Sequence, residues 1–123
     1  MPPRPLVSIV DDDQSVRESL PDLLKALGFS VRAFASAEDF LASECVDQTE
    51  CLVLDVSMPG MTGPELQDEM ARRRRLPIIF ITAHADDATR SRVMDAGAVA
   101  YLMKPFNESS LLAAINVALG RDP

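Results

Sequence analysis

The stretch "CLVLDV" (residues 51–56) is apolar at every position except Asp55. A run this short and this apolar reads as a strand covered on both faces, which is the condition of an inner strand in a parallel sheet. "PIIFIT" (77–82) has the same character and also ends on a polar residue, Thr82. Outward from these lie "LVSIV" (6–10) and "VAYLM" (99–103). "SVRAFA" (30–35) differs, because it alternates apolar with polar and so suits a half-exposed edge strand.

The intervening segments carry helical periodicity. Val16, Leu20, Leu23, Leu24 and Leu27 form one apolar stripe, stopped by Gly28. Ser36 and Asp39 have the spacing of a capping box for a helix over "AEDFLASE". Thr62 and Glu65 make a clearer box, with Pro64 tolerated in the first turn. A fourth helix is expected over about 86–96, ending at Gly97. Asn107 can cap a fifth, which turns Leu111, Leu112, Ile115 and Leu119 inward. Pro21 is the misfit, since it removes a hydrogen bond inside the first helix; the exposed side is where it is expected.

Strict alternation of strand and helix predicts an α/β fold with right-handed crossovers. Five strands and five helices in 123 residues fit one doubly wound parallel sheet in the flavodoxin-like order 2-1-3-4-5. The whole chain, 1–123, is expected to form one domain with its core over about 5–120.

Composition narrows the function. A net charge of −7 argues against direct contact with nucleic acid, whose phosphates need basic partners. The exception, "RRRR" (72–75), reads as the solvated end of a helix. No apolar run approaches the roughly 18 residues of a membrane span, and "MPPRPL" has no leader pattern. A cytoplasmic location without membrane contact is therefore expected. Cys45 and Cys51 fit no metal spacing and read as ordinary thiols, Cys51 at the start of a buried strand.

Ligands of such sheets bind beyond the C-terminal strand ends, at the switch point between strands 1 and 3. Strand 1 delivers Asp11 and Asp12 there, strand 3 Asp55, strand 4 Thr82 and strand 5 Lys104. Three carboxylates cannot all stay ionised beside one lysine unless a cation joins them. Mg²⁺, or the similar Mn²⁺, suits such oxygen ligands and leaves room for phosphate oxygens. A metal beside a free carboxylate, a hydroxyl and an ammonium can orient a phosphoryl group for in-line transfer. Asp55, on the central strand, is placed as the nucleophile that forms an acyl phosphate. Asp12, with or without Asp11, would hold the metal; Thr82 and Lys104 would bind phosphoryl oxygens. Asp13 either faces solvent or begins the first helix, where negative charge is favourable.

Four stretches resemble the receiver domains of two-component response regulators, the CheY-like domains. They are "VDDD" (10–13), "LDVSMPGMTG" (54–63), "IFITAH" (79–84) and "AGAVAYLMKPF" (96–106). The resemblance covers about residues 5–120. It implies that Asp55 is the phospho-acceptor and that Asp11 and Asp12 are the acidic metal pair. It also implies that Ser57 offers its backbone carbonyl to Mg²⁺, that Thr82 and Tyr101 form a switch pair, and that Lys104 bridges to the phosphoryl group. The Lys104–Pro105 peptide would be cis. Ser57 and His84, two residues after Asp55 and Thr82, occupy positions that tune the lifetime of the phosphorylated state. Such a receiver is not an enzyme beyond its own phosphorylation and dephosphorylation.

The wording "GFSVRAFASAEDFL" is most similar to the FixJ-type branch, whose receivers usually precede a helix-turn-helix domain. The implied partners are a sensor histidine kinase, a second copy of the chain after phosphorylation, and DNA only through an output domain that these residues do not contain. Two other classes fit the residues less well. A flavin-type binder needs an anion loop after strand 1, and "DDDQS" there repels phosphate. A degenerate receiver used only for docking would lack part of the constellation, and Asp12, Asp55, Thr82 and Lys104 are all present.

Overall fold

A computed structural model describes residues 4–84 and 86–121. The readings made at 1–3, 85 and 122–123 lie outside the described residues. The elements alternate as expected: β1 (Leu6–Val10), α1 (Gln14–Ala26), β2 (Ser30–Phe34), α2 (Ala37–Ala42), β3 (Cys51–Asp55), α3 (Gly63–Ala71), β4 (Ile78–Thr82), α4 (Asp87–Asp95), β5 (Ala100–Met103) and α5 (Glu108–Ala118). All strand pairs are parallel, and the sheet order is β2-β1-β3-β4-β5.

The period of two along each strand divides the core into two layers. Cys51 and Val53 of β3 join Val7, Ile9, Ile79 and Ile81 in one cluster, closed by Leu20 and Leu24 of α1 and Leu111 and Ile115 of α5. Leu52 and Leu54 turn the other way and meet Phe40 of α2, Leu66 and Met70 of α3 and Val93 of α4. Every residue of β3 and β4 is buried, as expected of strands covered on both faces; β2 at the edge is largely exposed, with Val31 buried and Phe34 half-buried, and does not keep the strict alternation its sequence suggests.

Start and stop signals explain the helix bounds. Asp13 is the N-cap of α1, its carboxylate accepting from the Ser15 amide at 2.9 Å, and Gly28 follows the helix at φ +102°. Thr62 and Glu65 form the full reciprocal capping box of α3. Asn107 caps α5 through the Ser110 amide.

Four expectations are corrected. The second helix is not eight residues long: it ends at Ala42, Ser43 is extended at ψ 162°, and Glu44–Asp47 form a 3-10 turn. Ser43 ends one segment and begins the next because its hydroxyl accepts from the Cys45 amide. Ser36 caps α2 through the Asp39 amide, but no return bond from Asp39 completes a box. Pro21 is half-buried rather than exposed, and α1 runs through it from Gln14 to Ala26. The arginine run is not uniformly solvated. Arg72 and Arg73 pair with Glu69 at 2.9 and 3.0 Å, and Arg74 donates to the carbonyls of Val46 and Thr49, both at 2.8 Å.

Candidate functional site

The parallel sheet brings the C-terminal ends of β1, β3, β4 and β5 to one edge, and all the predicted residues except Tyr101 stand at or just beyond it. Asp11 and Asp55 continue the parity of Ile9 and Val53, so both lean to the α1/α5 side. Thr82 continues the parity of Ile78 and Phe80 and approaches from the α3/α4 side. A group held between them is therefore flanked by carboxylates on one hand and a hydroxyl on the other.

One carboxylate oxygen from each of Asp11, Asp12 and Asp55 lies within 4.8 Å of the others. Asp11 is fully buried, Asp55 is 5% exposed, and Asp12 faces solvent. Two acids thus form the floor and the third an open rim. Lys104 Nζ approaches Asp11 Oδ2 at 2.8 Å and Asp55 Oδ2 at 3.8 Å. Burial works against the ammonium, but the surrounding carboxylates of Asp11, Asp55 and Asp13 outweigh it and hold its pKa above the ordinary lysine value. Burial, then the Asp11 charge, push the Asp55 carboxyl up to about 7, with Lys104 only partly compensating.

The donors fit a hard divalent cation. Three carboxylates share one ammonium, which faces Asp11 and Asp55 and leaves the cluster with an excess of negative charge. Carboxylate oxygens in excess of the cations beside them are the arrangement a hard divalent cation satisfies. Asp11, Asp12 and Asp55 are the side chains that could hold it. Ser57 stands exposed at the start of the following loop.

Thr82 is 2% exposed, and its hydroxyl is engaged with the backbone of His84, donating to the carbonyl at 3.0 Å and accepting from the amide at 3.2 Å. The His84 side chain is exposed. Tyr101 pairs with Phe80 across β4 and β5, packs half-buried against the α2–α4 cluster, and leaves its buried hydroxyl without a partner. The Lys104–Pro105 peptide is cis.

Two charged residues around the site were missed. Arg17 of α1 donates Nη1 to the Asp11 carbonyl at 3.0 Å. Glu38 of α2 accepts from the Met61 amide at 2.9 Å, in the loop that follows Asp55. Both partners are main-chain atoms, which leave no mark in the sequence, and there Glu38 reads only as a first-turn acid of a helix.

Comparison with known proteins agrees with this fold. The family model described as the response regulator receiver domain matches residues 7–116. Nodulation protein W of Bradyrhizobium diazoefficiens is 47% identical over 118 residues, covering 95% of this chain and 52% of that protein. The transcriptional regulatory protein FixJ of Azorhizobium caulinodans is 39% identical, covering 98% of this chain and 58% of that protein. The low-resolution structure of the response regulator StyR superimposes with a TM-score of 0.87 at 49% identity, covering 95% of this chain and 60% of that one. The chain spans about half the length of the curated relatives it matches.

Proposed function

Because the chain belongs to the response regulator receiver domain family, we propose that it is a phosphorylation-dependent switch with Asp55 as phospho-acceptor. The observation that carries the reading is the convergence of Asp11, Asp12 and Asp55 within 4.8 Å, with Lys104 Nζ reaching two of them. A carboxylate oxygen of Asp55 attacks phosphorus. The new bond is P–O, and the bond broken is P–N to the phosphohistidine of a partner kinase, whose imidazole leaves and takes up a proton. Mg²⁺, or Mn²⁺, bound by Asp11, Asp12, Asp55 and the Ser57 carbonyl would supply charge neutralisation for the incoming phosphoryl oxygens.

Lys104 stands between Asp11 and Asp55 and would pair with a phosphoryl oxygen in place of Asp55 Oδ2. Thr82, on the opposite side, would exchange its bonds to His84 for one to the phosphoryl group. Tyr101, whose buried hydroxyl lacks a partner, would shift with it. The outcome is a change of population between two arrangements of α4, β5 and α5. Met94, Met103 and Val117 on that face are 37%, 44% and 54% exposed, which supports a phosphorylation-linked homodimer there. Control of an output domain is proposed for the whole protein, with 1–123 as its receiver unit. A cytoplasmic location is part of the same reading; no helix among the described residues is long and apolar enough to cross a membrane.

Intact mass after incubation with Mg²⁺ and acetyl phosphate tests the proposal. One added phosphoryl group is expected, and none in Asp55→Ala. No gain in the wild type, with donor and metal shown to be active, would overturn it. The decay of the added mass reads the tuning role of Ser57 and His84: both side chains stand exposed beside the pocket, and His84→Ala is expected to change the decay rate. An unchanged rate removes His84 from the mechanism.

A further inference from the structure

We infer that Glu38 is a positioning residue for the metal site, acting from α2 through the loop of residues 57–62. The inference rests on the reading of Asp11, Asp12, Asp55 and the Ser57 carbonyl as metal ligands, and it adds an element that this reading does not include. The loop leaves β3 directly after the phospho-acceptor, and its own geometry leaves few ways to hold it. Its base is closed by the Gly63 amide donating to the Val56 carbonyl at 3.0 Å. Gly63 packs so closely on the Asp55 carbonyl that a Cβ has no room there. Its far end is held within α3 by the capping box of Thr62 and Glu65. Met58 is buried, and Met61 packs against the core from inside.

Glu38 supplies the remaining tie. Its Oε2 accepts from the Met61 amide at 2.9 Å. Among the described residues this is the only hydrogen bond joining 57–62 to an element other than α3. Gly60 makes the approach possible. It stands at φ +75°, and a Cβ on it would fall 2.6 Å from Glu38 Oε2. The loop thus presents a bare backbone to one carboxylate, which fixes its height over the sheet edge. The Ser57 carbonyl lies four residues before the clasped amide. A metal ligand carried by a loop loses affinity when the loop moves, in the way that losing an outer partner of a ligand does.

Glutamine keeps an acceptor oxygen and loses the charge, whereas alanine loses both. Isothermal titration with Mg²⁺ on wild type, Glu38→Gln and Glu38→Ala, with the exchange rate of the Met61 amide read by NMR, separates the possibilities. Glu38→Ala is expected to bind Mg²⁺ about tenfold more weakly and to expose the Met61 amide to exchange. Glu38→Gln is expected to stay within about twofold of wild type in affinity, well inside the usual cost of a lost outer partner, and to keep the amide protected. Equal weakening in both variants would assign Glu38 a long-range charge effect and overturn the positioning role. Wild-type affinity in Glu38→Ala would overturn it while leaving the metal site intact. Failure of the wild type to bind Mg²⁺ would bring down the reading of the site itself, and the inference with it.

Discussion

Asp55 meets two opposed demands. The nucleophile proposed here must be ionised, yet burial and the Asp11 charge push its carboxyl up to about 7 from an ordinary value of 3.8. The folded state therefore holds a proton that the unfolded chain has already released across the window from about 4 to 7. Stability contributed by that proton is present at the low end and is lost as pH rises through the folded pKa. In EDTA, the melting temperature of the wild type is expected to fall from pH 5 to pH 8. Carboxylates with lowered pKa, such as Asp13, Glu69 and Asp86, have the opposite trend, but theirs is complete near pH 5. Asp55→Asn is expected to flatten the decline and to melt about 5 °C higher at pH 8, corresponding to a cost of one or more kcal/mol. Parallel calorimetric profiles for the two proteins would show that Asp55 is not the source. At this scale the sequence was informative wherever a polar residue ended an apolar run, as Asp11, Asp55 and Thr82 do. It was silent on Arg17 and Glu38, because their partners are backbone atoms, and a backbone atom leaves no mark in the sequence.

At the scale of elements, caps were legible where a side chain meets its own helix. Asp13, Thr62 with Glu65, and Asn107 all act within three residues of themselves. The arginine run shows the opposite case. Its first two members pair locally with Glu69, but Arg74 crosses to the carbonyls of Val46 and Thr49 at the end of the 3-10 turn. Those carbonyls end a segment with no following helix to bond them, so a guanidinium fork is their partner. Arg74→Ala is expected to lower stability by about 1–2 kcal/mol, since it strands two acceptors. Arg75→Ala, at an exposed position without an ion pair among the described residues, is expected to stay within about 0.5 kcal/mol of wild type. Urea midpoints of the two variants check this; equal midpoints would show that four like residues act as one solvated end. Ser8 makes a similar point inside β1. It is fully buried, and its hydroxyl is satisfied by that of Thr49 at 2.7 Å, a partner 41 residues away.

At the scale of the molecule, the fold places the site where the chain pays least attention to local stability. Asp11, Asp12 and Asp55 are brought within 4.8 Å by strands that pair through the centre of the sheet, and their repulsion is carried by the core beneath. A cation that binds only the folded form removes that repulsion. At 100 times its dissociation constant, Mg²⁺ is expected to add about 2.7 kcal/mol, or roughly 10 °C in melting temperature. Asp12→Ala, whose side chain is exposed and contributes little to packing, is expected to show less than half that shift at the same concentration. A full shift in this variant would remove Asp12 from the site.

The sequence by itself determined the class of fold, the strand order and the polar residues at the strand ends. The fold class and the strand-end residues follow from periodicity and from the places where apolar runs stop, which are local properties of the chain, and the strand order follows from the pattern that such alternating chains adopt. The tertiary structure decided what depends on distance: that Asp11 is buried while Asp12 stands at the rim, that Thr82 bonds the backbone of His84, that Ser43 cuts the second helix short, and that Glu38 reaches the loop after Asp55. These contacts join groups that only folding brings together, and the partner in several of them is a main-chain atom that every residue possesses.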